Sequence, residues 1–411
     1  MVTELGIDYA LPDQADPESV SGKTSEAEET QTSVPPPAWR SERQQPHTAQ
    51  GRFRGCLLGG AVGDALGAPV EFMTQTQILH HFGPKGITQY APAYGGLGMI
   101  TDDTQMALFT AEGLIRGWVR GCLKGITTYT DVTAHAYLRW LQTQGERPNR
   151  NIRFGTDEPG WLFQQHQLHS CRAPGNTCLS ALQAMRSLGE PARNDSKGCG
   201  GVMRVAPVGL FAWRQHTSSQ DTFRLGTELA ALTHGHPTGA LTGGVLAVLI
   251  QLLTDGAALL EALAASKVIL RAEAGHEETL RAIELAEELA ISGLPHEEAV
   301  ARLGQGWIAE EALAISIYCA LVARNFKHGV ILAVNHDGDS DSTGSIVGNL
   351  LGTIHGVEAI PAEWLEPLEL RDVITELADD LYTFIDWEIG CDEHSENKAL
   401  NQQILQKYPG S

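Results

Sequence analysis

From Gly51 onward, apolar residues recur at helical spacing in one segment after another, and they almost never alternate with a period of two. A helix turns every third or fourth residue toward one side, whereas a strand turns every second one. Such a chain buries its apolar faces helix against helix, so the expected fold class is all-α, one compact multi-helix domain with few strands. Helices are expected over 51–67, 104–119, 131–144, 177–188, 221–233, 239–253, 257–270, 276–292, 296–303, 308–324, 343–355 and 370–387. Gly95-Gly96, Pro148, Pro159, Pro174-Gly175 and Pro361 mark breaks, and no fixed repeat period is present.

The first fifty residues read differently. Before Pro35 they carry Glu4, Asp8, Asp13, Asp16, Glu18, Glu26, Glu28 and Glu29 against a single base, Lys23, and three prolines follow. High acidity with little apolar content favours a disordered extension, and prolines favour an extended linker. The expected organisation is an acidic extension over 1–50, one domain over 51–390 and a C-terminal tail over 391–411.

A formal charge of −21 argues against nucleic acid or a membrane surface as partner. The most apolar stretch, Leu241–Leu253, contains glycines and is short for a bilayer span, so it reads as a buried helix. Seven cysteines without a C-x-x-C pair fit a reduced compartment, and no basic-then-apolar leader opens the chain, so the expected location is the cytoplasm.

Chemistry concentrates in five segments. In Gly55-Cys56-Leu57-Leu58-Gly59-Gly60-Ala61-Val62-Gly63-Asp64-Ala65-Leu66-Gly67, glycines 55, 59 and 63 share one helix face, which reads as a close helix crossing. Asp64 in that helix reads as a local cap or pair, whereas Glu71 just past the helix end is free to point at a site. Thr101-Asp102-Asp103-Thr104 is by itself an ordinary helix start, with acids matched to the helix dipole. Only one of its two carboxylates is needed for capping, however.

His336-Asp337-Gly338-Asp339-Ser340-Asp341-Ser342-Thr343-Gly344 opens another helix; a calcium loop would require a Glu at its twelfth position, and none is there. Lys197-Gly198-Cys199-Gly200-Gly201 allows close approach of backbone amides to a phosphate or ribose, but lacks P-loop and Rossmann spacing. Thr233-His234-Gly235-His236-Pro237 has no partner pattern for zinc, which favours hydrogen bonding or packing. If Asp102, Asp103, Asp339 and Asp341 meet, their mutual repulsion calls for cations, and an all-oxygen set suits Mg²⁺ or Mn²⁺.

Taken together and in order, GDALGAPVEF, TDDTQMAL, GCGGVMRVAPVGLF, THGHP and AVNHDGDSDSTGSIVGNLLG resemble the ADP-ribosylglycohydrolase family. The resemblance implies an all-α fold with a binuclear metal cleft holding two Mg²⁺ (Mn²⁺ in some members), and hydrolysis of the bond joining ADP-ribose to a protein side chain, most commonly arginine. Carried over by motif, it implies Thr101, Asp102, Asp103, Asp339, Asp341 and Ser342 as metal ligands. Glu71 and Asp103 are the implied catalytic carboxylates, with the choice of acid or base between them open. Gly198, Cys199, Gly200, Gly201 and His236 are the implied substrate contacts. Many members have Thr in place of Ser342 and Asn in place of Cys199. Some bacterial relatives with an N-terminal extension confer immunity to ADP-ribosyltransferase toxins, which would give residues 1–50 a toxin partner. Alternatives are hydrolysis of serine-linked or O-acetyl-ADP-ribose, or a noncatalytic binding protein that retains the fold.

Overall fold

The computed structural model describes residues 48–152, 159–390 and 398–410. Most of the acidic extension, together with its expected toxin partner, falls on residues 1–47, outside the described residues; Thr48, Ala49 and Gln50 instead begin the first helix. Among the described residues there are seventeen α-helices and no strand, so the all-α expectation holds. In the first half they are α1 Ala49–Gly67, α2 Gln75–Phe82, α3 Asp102–Lys124, α4 Tyr129–Thr143, α5 Asn176–Ala184, α6 Ala206–Arg214 and α7 Ser219–Ala231. The second half has α8 Pro237–Thr254, α9 Leu259–Leu270, α10 Glu277–Ile291, α11 His296–Leu303, α12 Ala309–Val322, α13 Phe326–Ala333, α14 Ser340–His355, α15 Ala362–Leu365, α16 Arg371–Thr383 and α17 Lys398–Lys407.

Local chemistry sets many of these starts. The Thr48 hydroxyl accepts from the Gly51 amide at 3.0 Å, and Thr74 and Gln77 close a reciprocal capping box at α2. Asn325 caps α13 through the His328 amide at 2.9 Å. α3 ends on Gly125, whose positive φ suits a residue without a Cβ.

α8 is long and apolar enough to cross a membrane by length and composition, yet 89 % of it is buried inside the protein. It is the packed helix the sequence suggests, with α6, α7, α9, α12 and α14 laid against it. Each fully buried Leu or Phe in such a centre contributes about 1.5–3 kcal/mol. At the C-terminal end, Tyr408 is buried, stacks on Trp387 and donates its hydroxyl to Asp380 at 2.6 Å.

The packing of α1 on α14 positions the acidic segments. A Cβ built on Gly55 would stand 2.2 Å from the Gly352 carbonyl oxygen; for Gly59 and Gly348 the distance is 2.4 Å, and for Gly63 and Gly344 it is 1.9 Å. The helices therefore run antiparallel with their backbones touching, as the four-residue glycine spacing of α1 anticipates. The same register sets Gly67, at the end of α1, against Ser340 and Asp341 at the start of α14.

Candidate functional site

Asp64 lies on the last turns of α1, and it is more than a local cap. Its carboxylate accepts from the Thr101 amide (3.0 and 3.1 Å), the Thr101 hydroxyl (2.8 Å), the Thr104 amide (3.1 Å) and the Thr104 hydroxyl. That bracket pins the first turn of α3 to the end of α1. Thr101 Oγ1 also accepts from the Asp103 amide at 3.4 Å. Asp102 and Asp103 are thereby held at a helix start with their side chains buried.

The second wall is α14. Asp339 Oδ1 accepts from the Ser342 amide at 3.3 Å, capping the helix, and Asp339 Oδ2 accepts from the Cys199 thiol at 2.8 Å. Asp341 Oδ1 accepts from the Ser342 amide at 2.9 Å, and the Ser342 hydroxyl lies 3.7 Å from Cys199 Sγ. Behind this turn His336, also buried, places Nε2 2.9 Å from Thr343 Oγ1 and fixes the loop. Asp102 Oδ2 accepts from the Gly175 amide at 3.2 Å, which brings in the segment before α5.

Among the described residues, two carboxylate oxygens of this acid cluster have no hydrogen-bond partner although both are buried: Glu71 Oε2 and Asp103 Oδ1. Buried oxygens of this kind are unusual, because an unmatched polar atom carries its full desolvation cost. Among the described residues, no ion pair reaches Asp64, Glu71, Asp102, Asp103, Asp339 or Asp341. Their protonation reflects this. Burial first, then the Asp341, Asp339, Asp102 and Asp64 charges, pushes Glu71 up to about 11. Burial and Asp341 raise Asp64 to about 7 in spite of its hydrogen bonds. Asp102 and Asp103 are raised well above the usual carboxylate range by burial and then Asp341, and Asp341 by burial and then Asp339. Asp339 is raised by burial.

The glycine segment borders this chamber through Cys199. Cys199–Gly201 form one 3-10 turn, and the Cys199 thiol is pushed well up by burial and then by Asp339 and Asp103. Gly198, Gly200 and Gly201 are shaped by packing as well, since a Cβ on each would meet the buried His234 ring within 3.2–3.3 Å. Burial and the neighbouring Arg204 lower His234 to about 3, so it is a neutral packing residue. His236 caps α8, its Nδ1 accepting from the Thr238 amide at 3.2 Å, and it lies beside the glycine segment through the Ser196 carbonyl.

Thus the fold gathers Glu71, Thr101, Asp102, Asp103, Asp339, Asp341, Ser342 and Cys199, all read from sequence, and adds Asp64 and His336. The acids with Thr101 and Ser342 supply only oxygens, and among the described residues no protein cation pairs with the acids; such a carboxylate-rich set fits hard divalent ions. Among the described residues no three Asp, Glu, His or Cys side chains already close around one point as a finished ligand shell. Mg²⁺ is commonly held by one or two carboxylates and completes its shell with water, so such a set does not have to be closed beforehand.

A family model described as ADP-ribosylglycohydrolase matches residues 45–388. The ADP-ribosyl-[dinitrogen reductase] glycohydrolase of Rhodospirillum rubrum is 28 % identical over 327 residues, covering 78 % of this chain and 91 % of that protein. ADP-ribosylarginine hydrolase Tri1 of Pseudomonas putida (strain GB-1) is 24 % identical over 353 residues, covering 84 % and 82 %. A solved structure described as an ADP-ribosylglycohydrolase-related protein complex superposes with a TM-score of 0.59 at 28 % identity, over 82 % of this chain and 98 % of that one.

Proposed function

The chain belongs to the ADP-ribosylglycohydrolase family, and we propose that it is a divalent-metal-dependent enzyme that removes ADP-ribose from arginine side chains of modified proteins in the cytoplasm. One observation carries the metal part of this reading: Glu71 Oε2 and Asp103 Oδ1 are buried and, among the described residues, unpartnered in a cluster that holds four further carboxylates. The name of the Pseudomonas putida relative favours arginine as the acceptor.

Asp102, Asp103, Asp339 and Asp341 would hold one or two Mg²⁺ or Mn²⁺ ions, with the hydroxyls of Thr101 and Ser342 at the edge of the set. Such ions supply charge neutralisation and Lewis-acid polarisation of water and of ribose hydroxyls. Glycosidic cleavage breaks the bond from the ribose anomeric carbon to the guanidine nitrogen; water adds to the carbon and a proton goes to the nitrogen. Glu71 is the residue we assign to that proton. Burial, the largest cause of its raised pKa, favours a carboxyl that keeps its proton, and a general acid has to hold its proton until the leaving nitrogen takes it. Asp103 then serves as ligand and as base toward the water. The Gly198–Gly201 turn borders the acids through Cys199; the Gly198 and Cys199 amides are donated to the Ser196 hydroxyl and the Trp307 carbonyl, so the Gly200 and Gly201 amides are the ones that would meet the pyrophosphate.

Incubation with arginine-, serine- and cysteine-linked ADP-ribosyl peptides, each with Mg²⁺, Mn²⁺ or a chelator, tests the reading. Release of ADP-ribose from the arginine-linked peptide in a metal-dependent manner is expected. Chelator-resistant turnover would remove the metal from the scheme, and turnover of the serine-linked peptide alone would replace the acceptor.

A further inference from the structure

Phe72 and Trp307 form a stacked pair of rings, with centroids 5.8 Å apart and planes 17° from parallel. Both face solvent: Phe72 is 72 % exposed and Trp307 39 %. Single exposed apolar residues are ordinary, but two large rings brought together from segments far apart in the sequence and left in water are not.

Their position is specific. Phe72 directly follows Glu71, whose Oε2 is one of the unmatched buried oxygens. Trp307 follows Gly306, where a Cβ would stand 3.3 Å from that of Asp339. The Trp307 carbonyl also accepts from the Cys199 amide at 3.2 Å, and the Cys199 thiol donates to Asp339. The pair therefore flanks the acid chamber from two walls, with one ring joined to the Glu71 side and the other to the Asp339 side.

We propose that the Phe72–Trp307 stack is the acceptor subsite, and that it takes the guanidinium of an arginine-linked substrate. This rests on the hydrolase reading above and gives it a structural basis for acceptor choice. A guanidinium is planar, delocalised and weakly hydrated, so it stacks well on aromatic faces. A chamber rich in carboxylates adds a negative field that concentrates cations at its mouth. A serine-linked acceptor offers neither a plane nor a charge, so it gains nothing from the rings.

The test compares wild type with Phe72→Leu and Trp307→Leu, which keep apolar bulk and lose the ring face, and with Trp307→Phe, which keeps a ring. Circular dichroism of each variant establishes that it is folded. The ratio of kcat/KM on arginine-linked to serine-linked ADP-ribosyl peptides is expected to fall about five- to thirtyfold in the Leu variants and to recover in Trp307→Phe. In parallel, agmatine contact is followed by saturation-transfer NMR as a guanidinium probe; its signal should weaken in both Leu variants. An unchanged ratio together with an unchanged agmatine signal overturns the subsite. If wild type hydrolyses neither peptide while Trp307→Leu still loses agmatine contact, the hydrolase reading fails and the guanidinium subsite stands.

Discussion

Gly63 and Gly344 meet backbone to backbone, so closely that a Cβ on Gly63 would stand 1.9 Å from the Gly344 carbonyl oxygen. Neither helix can yield without moving the acids at its end, because Asp64 follows Gly63 and Asp341 precedes Gly344 by one turn. Gly63→Ala is therefore expected to destabilise the protein by about 3 kcal/mol or more, since the clash is with main chain and no flexible side chain can give way. Thermal unfolding measures it; a melting temperature equal to that of wild type would show that the crossing is looser than this.

That crossing also shows how far the sequence could be read. Glycines at 55, 59 and 63 announce a close approach, yet nothing in them names the partner, which lies nearly three hundred residues away. The apolar stripe of α3 is plain, whereas α8 and α12 are apolar nearly all round and are legible only as buried helices; both acidic helix starts are legible because acids at a first turn have a local electrostatic reason to be there. Three helices outside the expected set had usable signals: the Thr74–Gln77 capping box of α2, Pro207 at the start of α6, and Asn325 as cap of α13. Asp64 could not be found this way. A carboxylate in mid-helix says nothing about which distant amides it will meet, and its four donors come from Thr101 and Thr104. The contact of Cys199 with Asp339, and the pairing of Phe72 with Trp307, are equally products of packing.

Asp64 acts by holding Thr101 and Thr104, so its replacement should be felt at Asp102 and Asp103. Asp64→Asn turns an amide group toward two backbone donors and leaves at least one of them unmatched, for a loss of roughly 1–3 kcal/mol. The start of α3 then shifts, and a displacement of about 1 Å at a catalytic group can reduce turnover about a hundredfold. Melting temperature and kcat should fall together. A variant with wild-type kcat would limit Asp64 to stability alone.

Metal and pH should act on stability through the same carboxylates. Burial, then Asp341, raises Asp64 to about 7, and burial, then the neighbouring acids, raises Glu71 to about 11, against roughly 4 for unfolded carboxylates. Between those limits the folded state binds more protons than the unfolded one, so this contribution to stability is present at low pH and is lost as pH rises. His234 has the opposite sign: lowered to about 3 by burial and Arg204, it favours folding as pH rises, but its window closes near pH 6.5. From about pH 6.5 to 7.5, above the histidine window and below that of Cys56, Cys178 and Cys319, whose thiols burial raises, the carboxylate effect dominates. In chelator, the melting temperature should therefore fall over that range, and Mg²⁺ or Mn²⁺ should raise it more at the upper end. A metal-induced shift that is the same at both ends would contradict the coupling.

Asp103 separates function from stability most directly. Its Oδ1 is buried with no partner among the described residues, and burial, then Asp341, Asp102, Asp64 and Asp339, oppose its ionisation, so in the metal-free protein it works against folding. Asp103→Asn removes that ionisable group with almost no change in volume. The expected result is a metal-free protein at least as stable as wild type, on the order of 1 kcal/mol more stable, that has lost both turnover and the metal-induced rise in melting temperature. A residue kept for packing would behave the other way, with lower stability and residual turnover. Differential scanning fluorimetry with and without Mg²⁺, alongside ADP-ribose release, distinguishes the two; a destabilised variant that still turned over substrate would place Asp103 in the scaffold and not in the chemistry.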